Sequence, residues 1–356
     1  MRRRGEYGEG TKRWDRVILA LFALTYLVVL AVAAVDVRLA VVEPMAWWWA
    51  LVGVALARAV AVNLGARWAA PVAVLWAWYP AATTIRYWGS TVPSLLALGC
   101  LAGGVVGDLA GFVAASLFRG IPVIQVPTTI LAMTDSAIGG KTGINSSQGK
   151  NLIGAFWQPS LVLADPELLV TLPRRERMAA YGELVKYALL DEALMDDMLA
   201  IAEPLCAEAI TVDEHICDVI RRSAAVKVAV VSTDERERGL RATLNLGHTL
   251  GHAIEKEAGL GTLLHGEAVA LGLIAACRVS AALGLCDPGL EERVRTMLEA
   301  AGLDVDLAPW LTEPVFERLR VDKKRTGSRI RFITVAAPGD VRLHDMEMDA
   351  LVGALR

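Results

Sequence analysis

The sequence predicts an α/β segment followed by a helical one, and three observations carry that expectation. Between residues 97 and 173, short apolar runs with strand character alternate with glycine-punctuated turns. From Arg174 to the end helical periodicity dominates, with one further strand expected at Arg329–Val335. Residues 1–96 are of a different character from both, so the expected divisions are 1–96, 97–173 and 174–356.

The 356 residues are 54% hydrophobic and 21% charged, with a net charge of −3, which excludes a basic stripe built for nucleic-acid backbone. The apolar excess is concentrated at the start. Eight of the ten tryptophans fall at 14, 47, 48, 49, 68, 76, 78 and 88, and Lys12 is the one lysine before residue 97. Val17–Val35 has no charge over nineteen residues, long enough to span a bilayer, and a basic stretch precedes it. Three readings compete for this segment: a membrane anchor through residues 17–85, a divergent nucleotide-binding half, or a stretch translated out of frame. The coding DNA of codons 1–102, translated in all three frames, decides among them. Five cysteines with no Cys-x-x-Cys pair point to a reduced, cytoplasmic chain.

The elements from residue 97 follow in order. An apolar run at Leu95–Leu101 precedes Gly103-Gly104-Val105-Val106-Gly107-Asp108 and then a helical stretch. A strand, glycine turn and helix would present main-chain N–H groups to a phosphate. Ile121–Pro127 reads as a buried strand ending in Thr128 and Thr129, and Asp135–Asn151 as a polar loop carrying Asp135, Lys141, Lys150 and Asn151. Leu161–Ala164 is a further short strand.

Two rare residue types are concentrated where chemistry is expected. Of 36 basic residues only eight are lysine, so Lys141, Lys150, Lys186, Lys227 and Lys324 stand out against an arginine background. Compact ammonium groups suit phosphate, carboxylate or hydroxyl recognition. Three of the five histidines, His248, His252 and His265, fall within Asn245–His265. Two or three of these imidazoles could reach one divalent metal, with Glu183, in an otherwise apolar helix, as a candidate carboxylate.

The segments GGVVGDLAGF, RGIPVIQVPTTILAMTDSAIGGKTGINSSQGKNLIGAFWQP, YGELVKYALLD, STDERERGLRATLNLGHTLGHAIE, LLHGEAVALG and VDKKRTG resemble the successive motifs of the 3-dehydroquinate synthase family, in order, across about 97–335. The resemblance implies a Rossmann-like NAD-binding domain, its first half atypical here, and an all-helical metal-binding domain. It also implies a cytoplasmic homodimer that uses NAD and zinc, with cobalt as a substitute. The implied reaction converts 3-deoxy-D-arabino-heptulosonate 7-phosphate to 3-dehydroquinate and phosphate. It proceeds by transient oxidation, phosphate elimination, re-reduction and intramolecular aldol closure.

Position by position, the resemblance implies Glu183, His248 and His265 as zinc ligands. It implies Gly103, Gly104, Val105, Val106, Gly107, Asp108, Thr128, Thr129, Lys141, Lys150, Leu168, Leu169, Val170 and Thr171 as NAD contacts. Asp135, Lys141, Asn151, Lys186, Lys227, Arg241, Asn245, His252 and Lys324 are implied at the substrate, with Arg119 reaching the substrate of a neighbouring subunit. Two departures stand out: Ala102 replaces the first glycine of the phosphate turn, and residues 1–96 lack the family's upstream NAD-contacting segment. Three alternatives remain. They are another sugar phosphate cyclase, a metal-dependent alcohol dehydrogenase of the same architecture, and an inactive membrane-anchored relative.

Overall fold

The computed structural model describes residues 98–146, 149–259, 261–322 and 329–356, all within the compact unit Ser94–Arg356. The apolar segment 1–96 and Lys324 lie outside the described residues.

Strand β1 (Leu98–Ala102) pairs in parallel with β2 (Val123–Pro127), and β2 with the short β5 (Leu161–Val162). Helix α1 (Gly104–Ser116) makes the crossover between β1 and β2, as parallel pairing requires. Its buried face is made of small residues, Ala110, Gly111 and Ala114. A Cβ on Gly111 would stand 2.4 Å from the Thr142 side chain, so this helix lies close over the next element. The anticipated glycine turn shrinks to the single residue Gly103, because Gly104 to Asp108 already form the first turns of α1.

The stretch expected as a polar loop is a β-hairpin instead. Strand β3 (Lys141–Ser146) pairs antiparallel with β4 (Gly149–Phe156), Gly143 opposite Gly154. The polar composition concealed it, since Thr142 and Ile144 carry the pairing while the glycines allow tight approach. A Cβ on Gly154 would fall 2.2 Å from the Thr142 carbonyl oxygen. Between β2 and β3, residues Ala132–Ser136 form one wide π-helical turn, a distortion that recurs at functional sites.

The remainder is mostly helical: α2 (Arg174–Leu190), α3 (Met195–Cys206), α4 (Glu214–Thr233), α5 (His248–Ala258), α6 (His265–Ala282), α7 (Gly289–Ala300), α8 (Glu313–Asp322) and α9 (Met348–Leu355). The expectation of an all-helical C-terminal part is corrected here. Strand β6 (Arg329–Ala337) is joined by β7 (Asp340–Glu347) in an antiparallel hairpin. In β6 the side chains of Ile330, Phe332 and Val335 are buried between exposed Arg329 and Arg331, and the Val335 N–H donates to Ser280 Oγ of α6 at 2.9 Å. The partner β7 carries little sequence signal, because Met346 is its one buried residue.

Helix α2 is buried all round, without interruption from Ala179 to Leu189, which marks it as the centre of the core. It meets α6 with almost no side chain between. A Cβ on Gly182 would lie 2.3 Å from the Gly266 oxygen, and one on Gly266 only 1.8 Å from the Ala179 oxygen. Helix α6 meets the start of α5 in the same manner, since a Cβ on Gly272 would lie 1.8 Å from the Gly247 oxygen. Gly247 also needs its left-handed backbone, φ 79°, to turn the chain into α5.

Candidate metal and substrate site

Three of the glycines at these crossings adjoin a site residue: Glu183 follows Gly182, His265 precedes Gly266, and His248 follows Gly247. Backbone contact between helices therefore sets where those three side chains meet. Glu183 Oε1 stands 3.2 Å from His248 Nε2 and 3.2 Å from His265 Nε2. Glu183 is 1% exposed, yet neither of its carboxylate oxygens has a hydrogen bond of acceptable geometry. Lys186 Nζ, 2.8 Å from Oε2, neutralises one side of this carboxylate, and Oε1, facing the two imidazoles, is open to a second cation. One carboxylate oxygen and two imidazole nitrogens, all ligand atoms within 4.8 Å of one another, fit a divalent zinc-type ion with positions left open.

The second nitrogens of the two rings are occupied. His248 Nδ1 lies 3.0 Å from the Leu246 carbonyl oxygen, and His265 Nδ1 lies 3.1 Å from Glu255 Oε2. Burial alone would push the His265 imidazole down, but Glu183 and Glu255 outweigh it and raise it to about 9. His252 is different: desolvation in the cleft and the neighbouring His248 and His265 push it down to about 4, and its side chain is exposed, its ring centred 5.4 Å from both of theirs.

Beside this group is a second one. Lys186 Nζ sits 2.8 Å from Glu183 Oε2 and 3.3 Å from Asp135 Oδ2. Lys227 donates to the Asp135 carboxylate and, at 2.6 Å, to the Asp135 main-chain oxygen. Burial pushes the Asp135 carboxyl up, but the two lysines outweigh it and hold it below the usual range. Glu183 behaves alike, with Lys186 and His248 overcoming burial. Burial pushes Lys186 down, and Asp135 with Glu183 reverses it to well above normal. For Lys227 burial wins and the ammonium is pushed down. The π-helical turn of residues 132–136 is what aims Asp135 between the lysines.

Arg241, 2% exposed, donates to the Gly139 oxygen at 2.8 Å and to the Glu235 oxygen. Asn245 donates at 2.5 Å to Glu237, whose carboxylate also holds Lys141 in an ion pair. Glu237 was not anticipated from the sequence. Its signal was a carboxylate four residues before Arg241 in a glycine-ended loop, and its left-handed φ of 57° marks a position held by its contacts.

The start of α1 forms the third part. Its N-cap, Gly103, offers no side-chain cap, and Val105 is 76% exposed, so the first N–H groups are open to an anion. A Cβ on Gly104 would approach Ser136 Oγ to 3.0 Å, and one on Gly103 the Thr129 side chain to 3.4 Å, a cradle that side chains would fill. Thr128 follows β2, and Thr129 Oγ1 accepts the Ala132 N–H at 3.2 Å. Asn151, also on left-handed backbone, donates to Asp108 at 3.4 Å, and burial pushes Asp108 up to about 6. Lys150 is placed by its backbone on β4.

Two expected contributions are placed less directly. Leu168–Thr171 lie in a 3₁₀ turn, where Leu169 is fully buried in the helical core and Val170 is exposed. Arg119 is exposed beyond the far end of α1, and thirteen residues of helix put it about 20 Å from the N-terminal turn. A single copy of the chain does not bring it into the group.

Models of the 3-dehydroquinate synthase N-terminal and C-terminal regions match residues 92–179 and 180–325. The 3-dehydroquinate synthase of a Synechocystis species is 47% identical over 262 residues, 73% of this chain and 72% of that one. The chain belongs to the 3-dehydroquinate synthase family. Among solved structures, a 2-epi-5-epi-valiolone synthase from Streptomyces hygroscopicus with NAD and zinc bound is similar, with a TM-score of 0.67, 26% identity, and coverage of 80% of this chain and 79% of that one. A 2-deoxy-scyllo-inosose synthase complexed with carbaglucose-6-phosphate, NAD and cobalt is similar at TM-score 0.64 and 26% identity, covering 86% and 78%. The fold of these sugar phosphate cyclases is thus shared, while the identity to 3-dehydroquinate synthases is far higher. Among the described residues, no helix is long and apolar enough to cross a membrane.

Proposed function

We infer that the chain acts as a 3-dehydroquinate synthase, a carbon–oxygen lyase that converts 3-deoxy-D-arabino-heptulosonate 7-phosphate to 3-dehydroquinate and phosphate in the shikimate route to aromatic amino acids. One observation carries this beyond family membership. Buried Glu183, whose Oε1 faces two imidazoles, is joined through Lys186 to the Asp135–Lys186–Lys227 group, so a metal-binding corner and an anion-binding corner share one site.

In this reading residues 97–173 are the remaining part of a Rossmann-like NAD-binding domain and 174–356 the zinc and substrate domain. Glu183, His248 and His265 hold zinc, and the open start of α1 with Thr128, Thr129 and Lys150 holds NAD. When bound, NAD supplies a hydride acceptor and zinc supplies Lewis acidity at the substrate hydroxyls. The protein's own residues then position and neutralise. Lys186 and Lys227 stay charged against Asp135 and face the substrate's anionic groups, and Arg241 adds a rigid fork. Lys141 and Asn245, pre-set by Glu237, exchange that carboxylate for one on the substrate. His252, held uncharged beside the two ligand histidines, offers a hydrogen bond to a substrate hydroxyl. Arg119, remote in one copy, is supplied by a second copy in a homodimer.

Phosphate released from the heptulosonate phosphate without net NADH is the expected result, and accumulating NADH would instead mark an alcohol dehydrogenase. Turnover of glucose 6-phosphate in its place would mark an inosose-type cyclase. His265→Ala is expected to lose zinc and phosphate release together; a zinc-free but active His265→Ala chain would sink the metal assignment.

A further inference from the structure

We propose that Glu255 is a positioning residue of the metal site, holding His265 in the tautomer that presents Nε2 to the ion. The proposal rests on the reading that Glu183, His248 and His265 bind a divalent metal.

An imidazole that ligates through Nε2 carries its proton on Nδ1, and that proton needs an acceptor. His265 faces Glu183 with Nε2 at 3.2 Å and Glu255 with Nδ1 at 3.1 Å, so the ring is gripped from both sides. His248 has the same arrangement with a different acceptor, the Leu246 carbonyl oxygen two residues away in its own chain segment. That acceptor is set by the local backbone. His265 opens α6 and has no comparable main-chain partner at Nδ1 among the described residues; its acceptor is a side chain on another helix.

The placement on α5 gives that contact its effect. His248 and Glu255 are seven residues apart on α5, two turns, and so share a face. Glu255 therefore ties the ligand on α6 to the helix that carries the other imidazole. As a carboxylate it also makes the ring a stronger donor to a metal than a carbonyl acceptor would. Glu255 could also serve as a ligand itself, because His252, Glu255 and His265 place their ligand atoms within 4.8 Å of one another.

The test uses the full chain, stripped of metal and titrated with zinc against a chromophoric chelator, and with cobalt followed by its visible absorption. Wild type is expected to bind one zinc. Glu255→Gln, which still accepts the Nδ1–H but lacks charge, is expected to bind it more weakly, and Glu255→Ala more weakly again, by roughly 10- to 100-fold from wild type. The cobalt spectrum is expected to shift in both variants while far-ultraviolet circular dichroism stays that of wild type. Equal zinc affinity and an unchanged cobalt spectrum in Glu255→Ala would overturn the proposal. So would a second zinc in wild type that Glu255→Gln loses, since Glu255 would then be a ligand. A wild-type chain that binds no zinc overturns the metal reading itself.

Discussion

Lys186→Met is expected to abolish most of the phosphate release while leaving one zinc per chain. The lysine is 1% exposed and lies between two carboxylates, Glu183 and Asp135, at 2.8 and 3.3 Å. Methionine nearly conserves the volume but takes the ammonium away from buried Glu183 and from the quarter-exposed Asp135, which keeps Lys227; roughly 3–5 kcal/mol, the cost of removing one partner of a fully buried pair, is therefore an upper bound. Bound metal still neutralises Glu183, so the loss falls on Asp135 and on the substrate's anion. A decrease of about 10²- to 10³-fold in turnover is the scale for one such donor.

The pH dependence follows with a definite sign. Burial is overcome by cations at both carboxyls, so their folded pKa values lie below the ordinary range. The stability they contribute is fully present above an ordinary carboxyl pKa of ~4 and is lost as pH falls toward the depressed values. Without Lys186 that depression weakens, and the acid unfolding midpoint of the metal-free chain is expected to move to higher pH. Zinc content, phosphate release and an acid titration followed by circular dichroism check the three statements. Wild-type turnover in Lys186→Met would remove the lysine from the mechanism.

Gly266→Ala is expected to cost both stability and metal. Its Cβ would sit 1.8 Å from the Ala179 main-chain oxygen, and no flexible side chain is there to yield. Reaching even 3 Å requires α6 to move by about 1 Å, and overpacking of this kind costs typically ~1–3 kcal/mol. Metal–ligand distances tolerate only about 0.2 Å. Since His265 is the adjacent residue, zinc affinity is expected to fall with the melting temperature. Gly353→Ala on α9, where a Cβ meets nothing within 4 Å, is the matched control. Full zinc affinity in Gly266→Ala would show that the crossing does not set the site.

Much of this was legible beforehand because the informative residues are rare types in unlikely places. A glutamate in the apolar run of α2, three histidines within Asn245–His265, and lysines in an arginine-rich chain each signalled themselves. Helical spacing alone leaves open which imidazoles share the metal, because His248 and His252 lie on one face of α5; the family resemblance implies His248 with His265, and Glu183 on α2 lies 3.2 Å from both. The hairpin of β3 and β4 was read as a loop because Gly, Ser and Asn disguise alternation. Strand β7 was passed over because it buries little. Glu237, in a loop, and Glu255, on α5, carry weak sequence signals: surface carboxylates are ordinary, and only distances to Lys141, Asn245 and His265 give these two a role.

The pairing of Glu237 with Lys141 and Asn245 has a bearing on traffic through the site. A tethered carboxylate acts at high effective concentration, so an entering anion must outcompete it. Small univalent ions gain too little to do so. A multiply charged sugar phosphate gains from several cations at once and displaces it. In the proposed function, the chain thus carries its own competitor for Lys141 and Asn245, a side chain that stands where a substrate anion would bind.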